Sequence, residues 1–190
     1  GEVLIDTSQR KMEINVVAPS LDYATNYGVD KILEDKALAS RLGYIIDVLL
    51  KHSGVLVFVN TRSLAERLGY LLSTLASKLG LEDLRVEVHH GSLSKLHRVN
   101  VEREFKSGLI KGLIATSSME LGIDIGRVDY VIQYMSPRQV TRLVQRIGRS
   151  GHKLGGVARG SIVVADNMFQ LLESLVLTRR AYANQLEPEN

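Results

Sequence analysis

A chain of 190 residues, 45% hydrophobic and 24% charged, has the size and composition of one soluble globular domain with a core of its own. No run reaches the ~18 consecutive apolar residues of a membrane span, no basic stretch with a following apolar run marks a secretion signal, and zero cysteines exclude disulfides and cysteine-ligated metal; the expectation is a cytoplasmic protein without membrane contact. The formal net charge is only +3, and Gly1 in place of Met points to a processed or excised product.

Residues 1–35 lack the alternation of the later chain. Met12–Ala18 is read as one strand and the rest as an incoming linker. Residues 37–51 have helical periodicity. Gly54 then opens Val55–Val59, a continuous apolar, β-branched run suited to a strand buried on both faces of a parallel sheet. Asn60 and Thr61 are good N-caps for the next helix, in which Leu64, Leu68, Leu71, Leu72, Leu75 and Leu79 keep one face. The unit repeats: Leu84–His89 as a strand, a helix capped by Ser94 and running to about Lys106, Gly112–Thr116 as a strand with a short helical turn after it. Val128–Tyr134 is a further strand, Pro137 stands where a helix would begin, Ser161–Ala165 is the last strand, and a terminal helix covers about Met168 to Ala183. Residues 184–190 are read as a tail. Such alternation implies an α/β fold with a mostly parallel sheet and helices on both faces. Because ligands gather beyond the carboxyl ends of such strands, four polar clusters are expected on one rim: Asn60-Thr61-Arg62, His89–Ser92, Thr116–Ser118 and the arginine-rich helix after Tyr134.

The sharpest feature is Gln145–His152 (QRIGRSGH), preceded by Arg138 and Arg142. Residues 130–165 hold Arg138, Arg142, Arg146, Arg149, Lys153 and Arg159 and no acid, whereas residues 1–60 hold six Lys/Arg against eight Asp/Glu. A helix would align Arg138, Arg142 and Arg146 in one stripe, where like charges repel by about 0.2–0.5 kcal/mol per pair. Such a stripe needs distant acids, another domain or phosphates as partners. Beyond Gly148 the chain can leave the helix and present Arg149, whose guanidinium stays charged, forks bidentately and can stabilise charge developing on a transferred phosphoryl group. Adjacent His89 and His90 point to opposite faces of a strand, and no carboxylate spacing completes a metal site around them. Ser92, Ser117 and Ser118 lack a paired base and are read as phosphate binders or caps. The strand Ser161–Ala165 followed by Asp166 is similar to a Walker B strand, but without a nucleotide loop it is read as core strand and helix cap.

Gln145–His152 resembles motif VI of superfamily-two helicases, Val55–Arg62 motif IV, His90-Gly91-Ser92 the short His-Gly element, and Ile114–Gly126 (IATSSMELGIDIG) motif V, all in the family's order. With the flanking segments 6–19, 89–98 and 159–166, nearly the whole chain resembles the large helicase-related (Lhr-type) helicases. The resemblance implies a RecA-like three-layer α/β/α fold: residues 1–35 as linker and strand from a preceding motor domain, and 36–183 as the second RecA-like domain. It implies that Arg149 is an arginine finger reaching the γ-phosphate of ATP held with Mg2+ mainly by the first RecA-like domain of the same protein. Gln145 and Arg146 would couple nucleotide to domain closure, and Asp124 would meet the ribose or pair with the finger. Gly122 and Gly126 would let that loop turn, and His152 would complete the nucleotide contacts. Where most relatives carry a second arginine this chain has His152, a histidine the Lhr-type family shares. Asn60, Thr61, Arg62, His90, Gly91, Thr116 and Ser117 would hold the backbone of single-stranded or duplex DNA or RNA, with hydroxyls, amides and N–H groups that grip phosphates without reading bases.

No G-x-x-x-x-G-K-[ST] and no Asp-Glu-x-His/Asp occurs, so the chain is expected to hold half an ATP site and to be inactive as an ATPase alone. With 5% aromatics and no Trp it offers few stacking platforms for bases. Two other readings stand beside the motor domain: a stand-alone RecA-like nucleic-acid-binding module without ATPase activity, and, last, a doubly wound small-molecule enzyme, which would need a glycine-rich loop after its first strand.

Overall fold

The computed structural model describes residues 11–120, 124–151 and 156–186. Its elements follow in chain order: β1 (Met12–Val17), α1 (Leu21–Tyr27), a 3-10 turn (Val29–Lys31), α2 (Lys36–Lys51), β2 (Val55–Phe58), α3 (Arg62–Lys78), β3 (Val86–His89), α4 (Lys95–Lys106), β4 (Gly112–Ala115), a 3-10 turn (Ser117–Met119), β5 (Tyr130–Tyr134), α5 (Val140–Ile147), β6 (Ala158–Val163) and α6 (Met168–Leu186). The strands form one six-stranded sheet in the order β1-β6-β5-β2-β4-β3, and every pairing is parallel.

Residues of β2 alternate between two cores, as the period of two requires. Val55, Val57 and Val59 meet Leu42, Ile45, Leu49, Leu68 and Leu72 of α2 and α3. Leu56 and Phe58 meet Val101, Phe105, Leu143, Ile147 and Leu177 of α4, α5 and α6. Helices therefore cover both faces, giving the expected three-layer α/β/α arrangement. Thr61 caps α3 by accepting from Leu64 N at 3.2 Å, and Ser94 caps α4 by accepting from His97 N at 3.1 Å. Among the described residues no helix is long and apolar enough to cross a membrane.

Residues 11–35 of the segment read as an incoming linker fold onto the domain, and residues 1–10 of it lie outside the described residues. β1 pairs with β6 along its length, Met12 opposite Ala158. The Tyr182 hydroxyl of α6 accepts from Ile14 N at 2.7 Å, on β1 at the sheet's edge. α1 packs so closely on α2 that a Cβ at Gly43 would lie 2.1 Å from the Tyr23 carbonyl oxygen. Pairing with β1 also explains why the last strand begins at Ala158, three residues before the expected Ser161. α5 starts at Val140 and not at Pro137, because Met135 and Arg138 both take a left-handed φ of 66° and keep the loop out of helix. The stripe of three arginines is thus not formed: only Arg142 and Arg146 lie on α5, and both face one acid, Glu120.

Candidate functional site

Four strand-to-helix connections line up at the carboxyl end of the sheet, from neighbouring strands in the order β5, β2, β4, β3. At a strand spacing of about 4.8 Å this rim extends over about 14 Å. Arg62, exposed in the first turn of α3, donates from its guanidinium to the Ser92 hydroxyl and so ties the connection after β2 to that after β3. Gly91 and Ser117 are exposed, and a Cβ at Gly91 would find nothing within 4 Å, so neither packing nor backbone demands glycine there. Thr116 is nearly buried and its N–H donates to the His89 carbonyl at 3.3 Å.

The two histidines serve as braces below this rim. His90 is buried; its Nδ1 accepts from Ser92 N at 3.2 Å, so the ring proton sits on Nε2 and is donated to Glu66 at 2.6 Å. His89 lies on the other side of the sheet, between Glu102 of α4 at 3.0 Å and the Ser118 hydroxyl at 2.7 Å. Burial pushes its pKa down, against the opposing pull of Glu102.

Arg146 and Asn60, both expected at ligand-facing positions, are bonded to each other, Arg146 buried and Asn60 half-buried. Arg146 is 1% exposed and lies over the Phe58 ring with its guanidinium carbon 5.0 Å from the centroid. Its Nε donates to Glu120 at 2.8 Å, and its Nη1 donates to Gln133 at 2.7 Å and to Asn60 Oδ1 at 3.3 Å. The Asn60 amide donates in turn to the Ser136 carbonyl at 2.9 Å. Burial lowers the Arg146 pKa and Glu120 opposes it. Sequence motifs do not mark Gln133 or Glu120 as site residues; for Gln133 the signal is a glutamine inside the otherwise apolar run of β5.

Arg149 does not share the rim. The Ser150 hydroxyl accepts from Arg159 N at 2.8 Å, and Gly151 N donates to the Val128 carbonyl at 3.4 Å; both partners belong to the amino ends of β6 and β5. The reason is topological: the strand-end rule applies to strand-to-helix connections, whereas Arg149 sits in a helix-to-strand connection. The eight residues of α5, about 12 Å long at 1.5 Å per residue, separate the two ends. Arg149 is 9% exposed, and burial lowers its pKa while nearby Asp124 raises it. Asp124 is exposed and accepts from Lys106 Nζ at 2.7 Å and from Gly126 N at 2.9 Å. Those two bonds, Lys106 first, hold its carboxyl below the usual range, with a smaller contribution from Arg149. Gly126 has the left-handed φ of 79° expected of a turn glycine. Gln145 is exposed on α5. Gly122 and His152 lie outside the described residues.

A six-stranded, all-parallel sheet covered by helices on both faces is the three-layer architecture of a RecA-like domain. Residues 40–153 match the helicase conserved C-terminal domain, and the chain belongs to that family, in its Lhr-type branch. It is similar to the ATP-dependent helicase Lhr-Core of Methanocaldococcus jannaschii (38% identity, 97% of this chain and 20% of that protein) and of Saccharolobus solfataricus (36%, 94% and 20%). The chain thus spans about a fifth of the length of these curated relatives. Among solved structures it is similar to the Mycobacterium smegmatis helicase Lhr bound to ssDNA and AMP-PNP, with a TM-score of 0.78, 34% identity, and coverage of 95% of this chain and 23% of that one. The C-terminal domain of the DEAD-box protein Dbp5 shares the fold at a TM-score of 0.55 and 23% identity.

Proposed function

We propose that this domain works as the second half of an ATP-driven motor on DNA or RNA, with nucleic acid on the carboxyl-end rim and nucleotide at the far end of α5. In this reading a first RecA-like domain of the same protein, in the cytoplasm, cradles ATP and Mg2+ and closes against Arg149. The arginine neutralises charge developing on the transferred phosphoryl group, a contribution of about 10³–10⁵ in rate where such fingers are known. Asp124 meets the ribose or the finger, and Gly122, two residues earlier in the chain, belongs to the same nucleotide-binding set. Gln145 and His152 complete the nucleotide face. Asn60, Thr61, Arg62, His90, Gly91, Thr116 and Ser117 form the backbone track, in which Thr61, Arg62, Gly91 and Ser117 are the accessible members, while Asn60 and His90 hold the others in place.

The observation that carries this reading is the path between the two ends. Arg146, one helical turn before Arg149, is bonded to Glu120, which lies between Thr116 and Asp124 in sequence, and to Asn60 at the rim. A shift of α5 on nucleotide binding would therefore act on Asn60 and on the 116–124 connection together. The similarity to an Lhr protein bound to ssDNA and AMP-PNP supports the pairing of ligands.

The test uses the longer protein that includes the first domain. Arg149→Ala should lower ATP turnover by about 10³-fold or more while nucleotide affinity, measured with a fluorescent analogue, changes little. Unchanged turnover would remove Arg149 from the mechanism.

A further inference from the structure

We infer that the loop between β5 and α5 is a fourth grip on the nucleic-acid backbone, with Arg138 as its phosphate contact and α6 as its clamp. This rests on the reading of the rim as a backbone track and extends it by one strand, to β5.

Met135 and Arg138 both adopt φ of 66°, the left-handed region in which a Cβ crowds its own backbone, and neither is a glycine, asparagine or aspartate. Strain of this kind persists only where the surroundings over-determine it. Here they do. Ser136 is 1% exposed; its N–H donates to Gln170 at 3.1 Å and its hydroxyl donates to Glu173 at 2.5 Å, both partners on α6. The same hydroxyl accepts from Arg138 N at 3.2 Å, and the Ser136 carbonyl accepts from the Asn60 amide at 2.9 Å. Two elements on either side of the loop thus hold one serine, and that serine holds the backbone of Arg138.

The side chain so positioned has a different character from its neighbours. Arg142 and Arg146 face Glu120, and Arg159 faces Glu13, but the Arg138 side chain is exposed and pairs with no acid among the described residues. It follows a strand adjacent to β2, whose own connection supplies Thr61 and Arg62. A guanidinium carried on backbone held at the rim, unpaired with any acid among the described residues and beside groups read as gripping phosphodiesters, is suited to one more phosphate. Asn60 then acts through Ser136, as a positioning residue for this contact.

The experiment measures binding of the 190-residue chain to a fluorescein-labelled oligothymidylate, with oligouridylate alongside, from 50 to 200 mM salt. Each phosphate contact to a single strand contributes about 0.7 to the slope of log K against log salt. Arg138→Ala should make that slope shallower by about 0.7, so that the ratio of wild-type to variant affinity shrinks about 2.6-fold across this range. Arg138→Gly, which relieves the backbone, should unfold at higher urea than Arg138→Ala yet lose the same slope. Ser136→Ala should weaken binding with the guanidinium still present, and adding Arg138→Ala to it should change little. An unaltered slope in Arg138→Ala, with a wild type that binds and loses slope in Arg62→Ala, overturns this inference alone. A wild type that shows no salt-dependent binding overturns the rim as well. A Ser136→Ala variant that binds like wild type while Arg138→Ala does not would overturn the clamp.

Discussion

Replacing Glu120 by alanine is expected to cost this domain more than removing the arginine that Glu120 holds. The Arg146 side chain is 1% exposed and that of Glu120 13%, with 2.8 Å between Nε and Oε1. In Glu120→Ala a guanidinium stays enclosed among Phe58, Gln133 and Asn60 without its acid; removing one partner of a buried pair costs about 3–5 kcal/mol. In Arg146→Met the chain over Phe58 keeps its apolar contact and Glu120 keeps Arg142, 3.4 Å away. The remaining loss is chiefly the Gln133 carbonyl without its donor, about 1–3 kcal/mol. The double variant carries no stranded charge and should resemble Arg146→Met, well short of the sum of the two single losses. Urea denaturation followed by circular dichroism measures all three, with similar slopes expected for each; in thermal melts 1 kcal/mol corresponds to about 2–4 °C for a domain of this size. Glu120→Ala proving milder than Arg146→Met, or additive losses in the double variant, would refute the account of this network as a charge held by a single acid.

Two further outcomes concern pH and the docked amino-terminal segment. Burial lowers the pKa of His89, and likewise of His52, below the usual value. As pH falls below about 6.5, the unfolded chain takes up protons that the folded one resists. Stability is therefore full above that pH and declines from it towards the depressed values; His89→Gln should flatten part of this decline between pH 6.5 and 5, and an identical slope would refute its assignment to His89. Gly43→Ala drives a Cβ to 2.1 Å from the Tyr23 carbonyl. It should destabilise by about 1–3 kcal/mol and speed proteolysis within residues 18–35; wild-type stability would mean that α1 does not dock as described.

Local order was legible along the chain because its signals are local. An apolar β-branched run named β2, a short apolar run named β4, caps at Thr61 and Ser94 named the starts of α3 and α4, and alternation of strand and helix implied a parallel sheet covered on both faces. The polar clusters after β2, β3 and β4 could be assigned to one rim for the same reason: in a parallel sheet every strand-to-helix connection emerges at one end. Tertiary structure decided what depends on contacts far apart in sequence. Only the pairing of Met12 with Ala158 brings β1 into this sheet, and only packing on α2 turns a presumed linker into α1. The direction of α5 carries Arg149 to the end opposite the rim. That Arg146 is buried and bonded to Asn60 depends on Glu120 and Gln133, from elements that no sequence window contains together; a side chain's burial is a property of everything packed around it.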